Sequence, residues 1–457
     1  MSREIPAYKK FLSGAGFNPK RVKTFADLAA VPPASKATYF RRYALSELSW
    51  AGAMKQKGLI FTSTSGSTGE ATYFGRDDAV DWQYSVLSEF FLRNGPKRPT
   101  LLIDCFGMGV WIGGLITYQA FRYAALRGWP VTIITPGINK KEIFHALEKL
   151  APQFGSVIIA GYPPFVKDIM DEAAAEGINF KRLHVRLLFA AESFTETFRD
   201  HAAKLAGIKN VYRDTLNLYG SAELGAMAFE TPLAILIRRL ATRHPEIYKK
   251  LFGTSRLPTL AQYNPDFVSF TEENREILIS ADSAAPFFKY SIGDNGGVHT
   301  LENIENIFGS HGLNLRILAR REGVAVTTLP FVYIHERSDF STKLYGAIIY
   351  PQHIREALYQ PKISRYVTGK FHMKTTTDAK HNQFLQIDLE LRRGITESLA
   401  VLKLCQKSIV ASLLKHNAEY KNNYQAIPAK VVPRIKFWPH EDHSYFKPGI
   451  KQTWISK

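Results

Sequence analysis

The sequence predicts an α/β protein with a large domain of parallel sheets covered by helices, a smaller antiparallel or barrel-like β part, and a separate basic C-terminal domain. Three observations lead there. Short apolar runs alternate with amphipathic stretches through the first two-thirds of the chain, shorter strand-like runs take over from about Leu218, and positive charge concentrates in the last 120 residues.

The strand candidates are Leu59 to Thr62, Thr100 to Asp104, Val131 to Thr135, Val157 to Ala160 and Val185 to Phe189, with helical patterns around 78–93, 139–150, 163–176 and 195–206. Parallel neighbours need a crossover, and a helix between two strands supplies it. Beyond Leu218, REILIS at 275–280 reads as a short strand and GDNGG at 293–297 as a turn. The segment from Pro232 to Phe252 reads as one or two basic amphipathic helices with a solvated face, a type that can also lie on a membrane surface. From Ser338 to Lys457 there are 19 Lys+Arg against 9 Asp+Glu, a charge of +10 over 120 residues, compared with +8 over the preceding 337.

At 457 residues and 45% hydrophobic content the chain can build two or three cores, which excludes a stapled miniprotein. The formal charge of +18 comes with ample core material, so it points to a phosphate-bearing partner rather than to disorder. Cys105 and Cys405 stand 300 positions apart, which excludes a disulfide framework, a CxxC centre and a four-cysteine zinc site, and fits a reducing cytoplasm. MSREIPAYKKFL lacks the apolar stretch of a secretory signal, so export is not expected. Leu101 to Phe121 has roughly the 20 residues a bilayer span needs. Asp104 and Gly107, Gly109, Gly113 and Gly114 break it into strand, loop and helix instead, so no membrane span is expected. Nucleic-acid binding has only the charge in its favour, because no zinc-finger spacing, RNP-like aromatic pattern or helix-turn-helix signal accompanies it.

The most informative segment is FTSTSGSTGEATYFGRD, from Phe61 to Asp77. A strand runs into a loop of hydroxyls and glycines, where backbone N–H groups and the hydroxyls of Thr64, Ser65, Ser67 and Thr68 can converge on phosphate oxygens around Gly66 and Gly69. It is not a Walker A loop, because Glu70 follows Gly69 where that motif has Lys.

TSTSGSTGE resembles the signature loop of the adenylate-forming superfamily of acyl-CoA synthetases, adenylation domains and luciferases. Later segments match that superfamily in order. LNLYGSAELG at 216–225 resembles its aromatic-Gly-x-Thr-Glu motif, PFFKYSIGD at 286–294 its Tyr-x-Thr-Gly-Asp segment, and HERSDF at 335–340 its Gly-Arg-x-Asp-Asp hinge. Within the superfamily the chain resembles phenylacetate-CoA ligases and their capsule-biosynthesis (CapK) and coenzyme F390 synthetase-like relatives. The matching segments are KTFADLAAVPPASKATYFRRY at 23–43, CFGMGVWIGG at 105–114, AGYPP at 160–164, AAES at 190–193 and LYGAIIYPQHIREAL at 344–358. The stretches 231–262 and 300–332 read as insertions without an assigned motif.

The resemblance implies an ATP- and acid-binding domain over 1–337 and a small, mobile α+β domain over 338–457. It implies activation of a carboxylic acid as an acyl-adenylate and transfer to a thiol, with coenzyme A as the expected co-substrate. Transfer to a carrier protein, or of AMP to a hydroxyl or phenolic acceptor, are the alternatives. The nucleotide would be held by Thr64 to Gly69, Ala191, Glu192, Tyr219, Gly220, Ser221, Asp294 and Arg337. Glu223 would hold Mg²⁺ beside phosphate oxygens, since a hard cation takes oxygen ligands. Tyr219 would stack on adenine, while Asp294 and Arg337 would bond the ribose. Trp111, Tyr162 and Ala190 would line the acid pocket, and the two aromatics favour an aryl or otherwise flat acid. Lys451 would stabilise charge at the α-phosphate, with Lys447 as the second candidate. The chain departs from the superfamily's pattern at Ala222, Lys289, Ile292 and Phe340.

Overall fold

The computed structural model describes residues 1–52, 58–63, 72–109, 112–254, 258–335, 341–345, 347–377, 383–448 and 454 of the 457-residue chain. Among the described residues, a twelve-stranded sheet forms the scaffold. Five of its strands run parallel, in the spatial order Val131–Ile134, Thr100–Asp104, Ser156–Gly161, Val185–Ala190 and Thr215–Ser221. Every residue of Thr100–Asp104 and Ser156–Gly161 is buried, as expected of parallel strands covered on both faces.

The two faces sort by the period-two alternation of side chains. Leu101, Ile103, Val157, Ile159 and Leu187 pack against helices Lys140–Lys149, Pro163–Glu172 and Glu196–Ala206. Leu102, Ile158, Leu188 and Leu216 face the opposite way, against helices Asp78–Asn94 and Ile112–Leu126. Among the described residues no helix is long and apolar enough to cross a membrane. The α/β alternation read from the sequence is therefore the architecture observed.

From Gly225–Phe229 onward the same sheet continues antiparallel, through Thr259–Gln262, Phe331–His335, Phe287–His299, Glu276–Ala281 and Val268–Glu273. Two sequence expectations need correction here. GDNGG is not a turn between elements but lies inside the 13-residue strand Phe287–His299. Ser291 pairs with Leu278 and Asn295 with Glu276, so Ile292, Gly293 and Asp294 form a bulge that absorbs the turn-like residues. Gly296 pairs with Ile334, where a Cβ would collide with the Tyr333 carbonyl. The second correction concerns the basic helices, Pro232–Arg243 and Pro245–Phe252. Their arginines are not all solvated, because Arg238 is fully buried.

Arg238 belongs to a buried ionic cluster. Its guanidinium meets Glu196 at 2.9 Å and Glu230 at 3.0 Å, and Arg199 reaches Glu230 at 2.7 Å and Glu196 at 3.0 Å. Arg199 also donates to the Thr215 hydroxyl at 2.8 Å. Although burial opposes ionisation, the arginines hold the Glu196 carboxyl down at about 2.

The C-terminal part has a sheet of its own, made of Val367–Thr377, Gln383–Leu391 and Arg434–Trp438. Helices Pro351–Leu358 and Leu399–His416 cover it around a separate apolar cluster that includes Phe371, Ile387, Leu413 and Trp454. The hinge expected at Arg337, Ser338 and Asp339 lies outside the described residues. A charged seam joins this part to helix Pro163–Glu172. Lys370 pairs with Asp168, Arg392 with Asp171 at 2.9 Å, and His440 with Glu172 at 3.4 Å, while Lys140 bridges Glu172 and Glu441.

These ionic groups make stability testable in two ways. Arg199→Met leaves buried carboxylates short of a partner and is expected to lower the unfolding free energy by about 3–5 kcal/mol. Phe25→Ser, at a side chain 93% exposed, should stay within about 0.5 kcal/mol. Urea unfolding of both variants checks this.

The seam adds a dependence on pH. Burial opposes ionisation of Glu172, but bonds from His440 and Lys140 hold its carboxyl at about 2, below the ordinary 4.5, so its contribution is present above pH 4.5 and lost toward pH 2. The bond to Glu172 raises His440 above the ordinary 6.5, so its contribution is full below pH 6.5 and lost as pH rises through the folded value. Stability from this pair is therefore greatest between about pH 4.5 and 6.5. His440→Gln should shrink the stability difference between buffer inside that window and alkaline buffer by up to about 1 kcal/mol, read from urea midpoints at the two pH values.

Candidate active site

The C-terminal ends of four parallel strands stand side by side. Asp104 pairs with Ala160, Gly161 with Phe189, and Ala190 with Leu218, so the turns that leave these strands share one edge of the sheet. That edge is where open α/β sheets bind ligands.

On one flank lie Phe106, Tyr162 and Ala190, which pack on the same apolar cluster. The rings of Phe106 and Tyr162 meet edge to face at 5.2 Å. Tyr162 caps helix Pro163–Glu172, whose Pro163 occupies the first turn, so the ring is presented at the helix start. Burial, then the neighbouring Glu192 and Asp104, raises its hydroxyl to about 12. Ala191 sits at φ 72, a left-handed conformation that an alanine adopts only under constraint. The next carbonyls are held from the C-terminal part, as Arg355 donates to the Ser193 carbonyl at 2.8 Å. Trp111 lies outside the described residues.

The other flank is the hairpin formed by Thr215–Ser221 and Gly225–Phe229. Gly220 has to be glycine, because a Cβ would collide with the Gly225 carbonyl across the hairpin. The turn is closed by Leu224 N donating to the Ser221 hydroxyl at 3.3 Å. Tyr219 donates to Asp294 Oδ2 at 2.7 Å and thereby ties the hairpin to the bulge in Phe287–His299. Thr62, from strand Ile60–Ser63 that leads into the hydroxyl loop, donates to the Ala222 carbonyl at 3.4 Å. The base of that loop therefore abuts the turn carrying Glu223. Thr64, Ser65, Gly66, Ser67, Thr68 and Gly69 themselves lie outside the described residues, as do Arg337 and Lys451. Lys447 is described and is exposed, next to the buried Phe446.

Glu223 is 7% exposed, and its Oε1 is 2.9 Å from Lys36 Nζ. Lys36 is not among the sequence candidates, yet three contacts fix its position. Ala34–Ser35 pairs in parallel with Tyr290 and Ser291, Ser35 and Thr38 cap each other's backbone N–H groups, and Lys36 Nζ lies 5.7 Å from the Phe74 ring. Its signal in the sequence is the lysine that follows Pro32-Pro33 in the opening segment. A buried oxygen donor that already holds an ammonium fits a cation, and Glu223 with phosphate oxygens is a suitable donor set for Mg²⁺. Lys289, where the superfamily has arginine, is taken up elsewhere: it donates to the Ala29 carbonyl at 2.8 Å and pairs with Glu273.

Sequence reasoning also passes over the carboxyl of Asp104. It is fully buried, accepts from Phe106 N at 3.1 Å through one oxygen, and is raised well above the ordinary carboxylate value by burial. Its sequence signal is a single acid inside an apolar run.

No family model matches the chain. Two phenylacetate-coenzyme A ligases are similar to it. One, from Aromatoleum evansii, is 25% identical over 222 residues, which is 48% of this chain and 47% of that protein. The other, from Thermus thermophilus, is 22% identical over 223 residues, 48% of this chain and 46% of that protein. The chain thus matches about half the length of these curated relatives. Among solved structures, 2-hydroxyisobutyryl-CoA ligase in its postadenylation state with R3-HIB-AMP superposes with a TM-score of 0.69 at 14% identity, over 100% of this chain and 86% of that one. The same ligase in its thioesterification state, with 2-HIB-AMP and CoA, gives 0.52 at 16% identity, over 96% of this chain and 83% of that one. With these comparisons, the chain is similar over about half its length to phenylacetate-coenzyme A ligases and shares the fold of 2-hydroxyisobutyryl-CoA ligase.

Proposed function

We propose that the chain is an ATP- and Mg²⁺-dependent acid–thiol ligase that activates a carboxylic acid, aryl or otherwise flat, as its acyl-adenylate and passes the acyl group to coenzyme A. The observation that carries this reading is the junction of Tyr219, Asp294, Glu223 and Lys36 beside the strand that leads into the hydroxyl loop, at the same sheet edge as Tyr162 and Ala190.

Each residue has a defined task in this reading. Asp294 accepts from the ribose hydroxyls, oriented by the bond from Tyr219, whose ring offers a face to adenine. Arg337 adds a donor fork to the same sugar. Thr64 to Gly69, with Ala191, Glu192, Gly220 and Ser221, surround the phosphates. Lys36 supplies positive charge beside them, and Glu223 holds Mg²⁺. The metal, when bound, withdraws charge from the triphosphate oxygens. The substrate carboxylate, held between Tyr162, Ala190 and Trp111, attacks the α-phosphorus, forming the new P–O bond as the bond to pyrophosphate breaks. Lys451 offsets the charge that builds there. In the second step the thiol attacks the acyl carbon, AMP leaves, and the C-terminal domain, rotated about 338 and 339, presents a different face. Two buried free thiols suit a cytoplasmic setting.

Pyrophosphate release with ATP, Mg²⁺ and a panel of aryl and alkyl acids, with and without coenzyme A, tests the reading. Thioester formation supports it, whereas a stable AMP adduct on a hydroxyl acceptor would replace it. Glu223→Gln is expected to lower acid-dependent pyrophosphate release by about 10²–10³ with the fold intact. Activity near wild type at saturating ATP would remove Glu223 from the metal. Lys451→Ala should depress adenylate formation by a similar factor of about 10² while ATP affinity stays near normal. A chemically prepared acyl-adenylate should still be consumed by that variant with coenzyme A. If Lys447→Ala alone shows this split, the role passes to Lys447.

A further inference from the structure

A cleft of about 760 Å³ lies away from the strand ends that form the candidate active site. It opens at the far end of helix Pro163–Glu172 from Tyr162, a helix of 10 residues and so about 15 Å long. Met170, Ile178, Phe180 and Leu205 make an apolar floor. Lys181, Arg365, Arg392, His201 and Asp171 supply the charged and titratable groups of its wall.

The charges do not balance. Asp171 is already held by Lys167 and by Arg392 at 2.9 Å, so its charge is spent on its own partners. Lys181 and Arg365 have no ion-pair partner among the described residues, and both are exposed at the mouth. His201 stands in the same wall. Burial first, then Lys167 against the opposing Asp171, and then Arg392 and Lys204, push its imidazole down to about 4, and its Nε2 is buried without a hydrogen-bond partner. An apolar floor under two uncompensated cations suits a molecule with a flat apolar body and an anionic group at one end.

We propose that this cleft is a second binding site, separate from the candidate active site, for a small aromatic or aliphatic anion. Its walls belong to two parts of the chain. The floor and Lys181 come from the parallel-sheet region, whereas Ser364, Arg365 and Arg392 come from the C-terminal region. A ligand seated here touches both sides of the seam, so its binding energy adds to their docking. The inference does not depend on the ligase reading, since it uses none of the residues assigned to that chemistry.

The test uses 1-naphthalenesulfonate as probe, titrated into the full chain by calorimetry at low and high salt, with saturating ATP present in a parallel series. Saturable binding is expected, weakened at high salt, unaffected by ATP, and accompanied by a rise in melting temperature. Neutral 1-naphthol and small methanesulfonate should each bind at least about tenfold more weakly, because each lacks one half of the recognition. Arg365→Glu and Ala174→Trp should each weaken the probe by about tenfold or more, the first by reversing a charge at the mouth and the second by filling the cleft. Both positions are exposed. Lys181→Glu replaces either variant that fails to show the wild-type circular dichroism spectrum. The proposal is overturned if no saturable binding occurs up to about 1 mM, if the variants bind as wild type does, or if ATP displaces the probe.

Discussion

The hairpin that carries Tyr219 and Glu223 depends on a clamp at its base. Arg199 is fully buried, donates to Thr215 where the hairpin begins, and pairs with Glu230 just past its end. A buried charge without a partner is costly, so the pairing leaves Arg199, Glu230, Arg238 and Glu196 little freedom to move independently. Thr231 extends the same junction by bonding to Gln262 in the next strand, which in turn donates to the Leu329 carbonyl at 2.6 Å. The hairpin tip is then held by what meets it, namely Asp294, Thr62 and Lys36. The position of the candidate site is thus set from below by buried ion pairs and from above by two hydrogen bonds and the Lys36–Glu223 ion pair.

Much of the scaffold was legible in the sequence because burial on both faces makes a parallel strand a continuous apolar run. Thr100–Asp104 has the bounds read from the sequence, and Val185–Ala190 differs by a single residue. GDNGG was not legible, since glycine and asparagine serve turns and bulges alike and only the register to Glu276–Ala281 distinguishes them. Arg238 was not legible either. Its burial depends on Glu196 and Glu230, which are distant in sequence, and a helical period alone marks arginine as solvated. Motif order names Tyr219, Glu223 and Asp294 as candidates, whereas Lys36 comes into view only through the parallel pairing of Ala34–Ser35 with the bulged strand.

The basic excess of the C-terminal part adds to the charge that points to a phosphate-bearing partner. Part of it has another use. Lys370 and Arg392 face Asp168 and Asp171 across the seam, so these cations serve the contact within the chain. Tyr359 adds an apolar element to the same contact, its ring 4.9 Å from that of Phe198. Because these pairs are largely buried, salt screens them less than it screens exposed charges.

Trp454 gives the end of the chain a fixed point. Its carbonyl accepts from Met373 N at 2.8 Å, its ring lies 4.8 Å from that of Phe371, and the Arg355 guanidinium stacks 4.1 Å from it. Each residue of extended chain spans at most about 3.5 Å, so a side chain three positions away from Trp454 is leashed to within roughly 10 Å at its Cα. Trp454 therefore travels with the C-terminal core as ballast does with a hull.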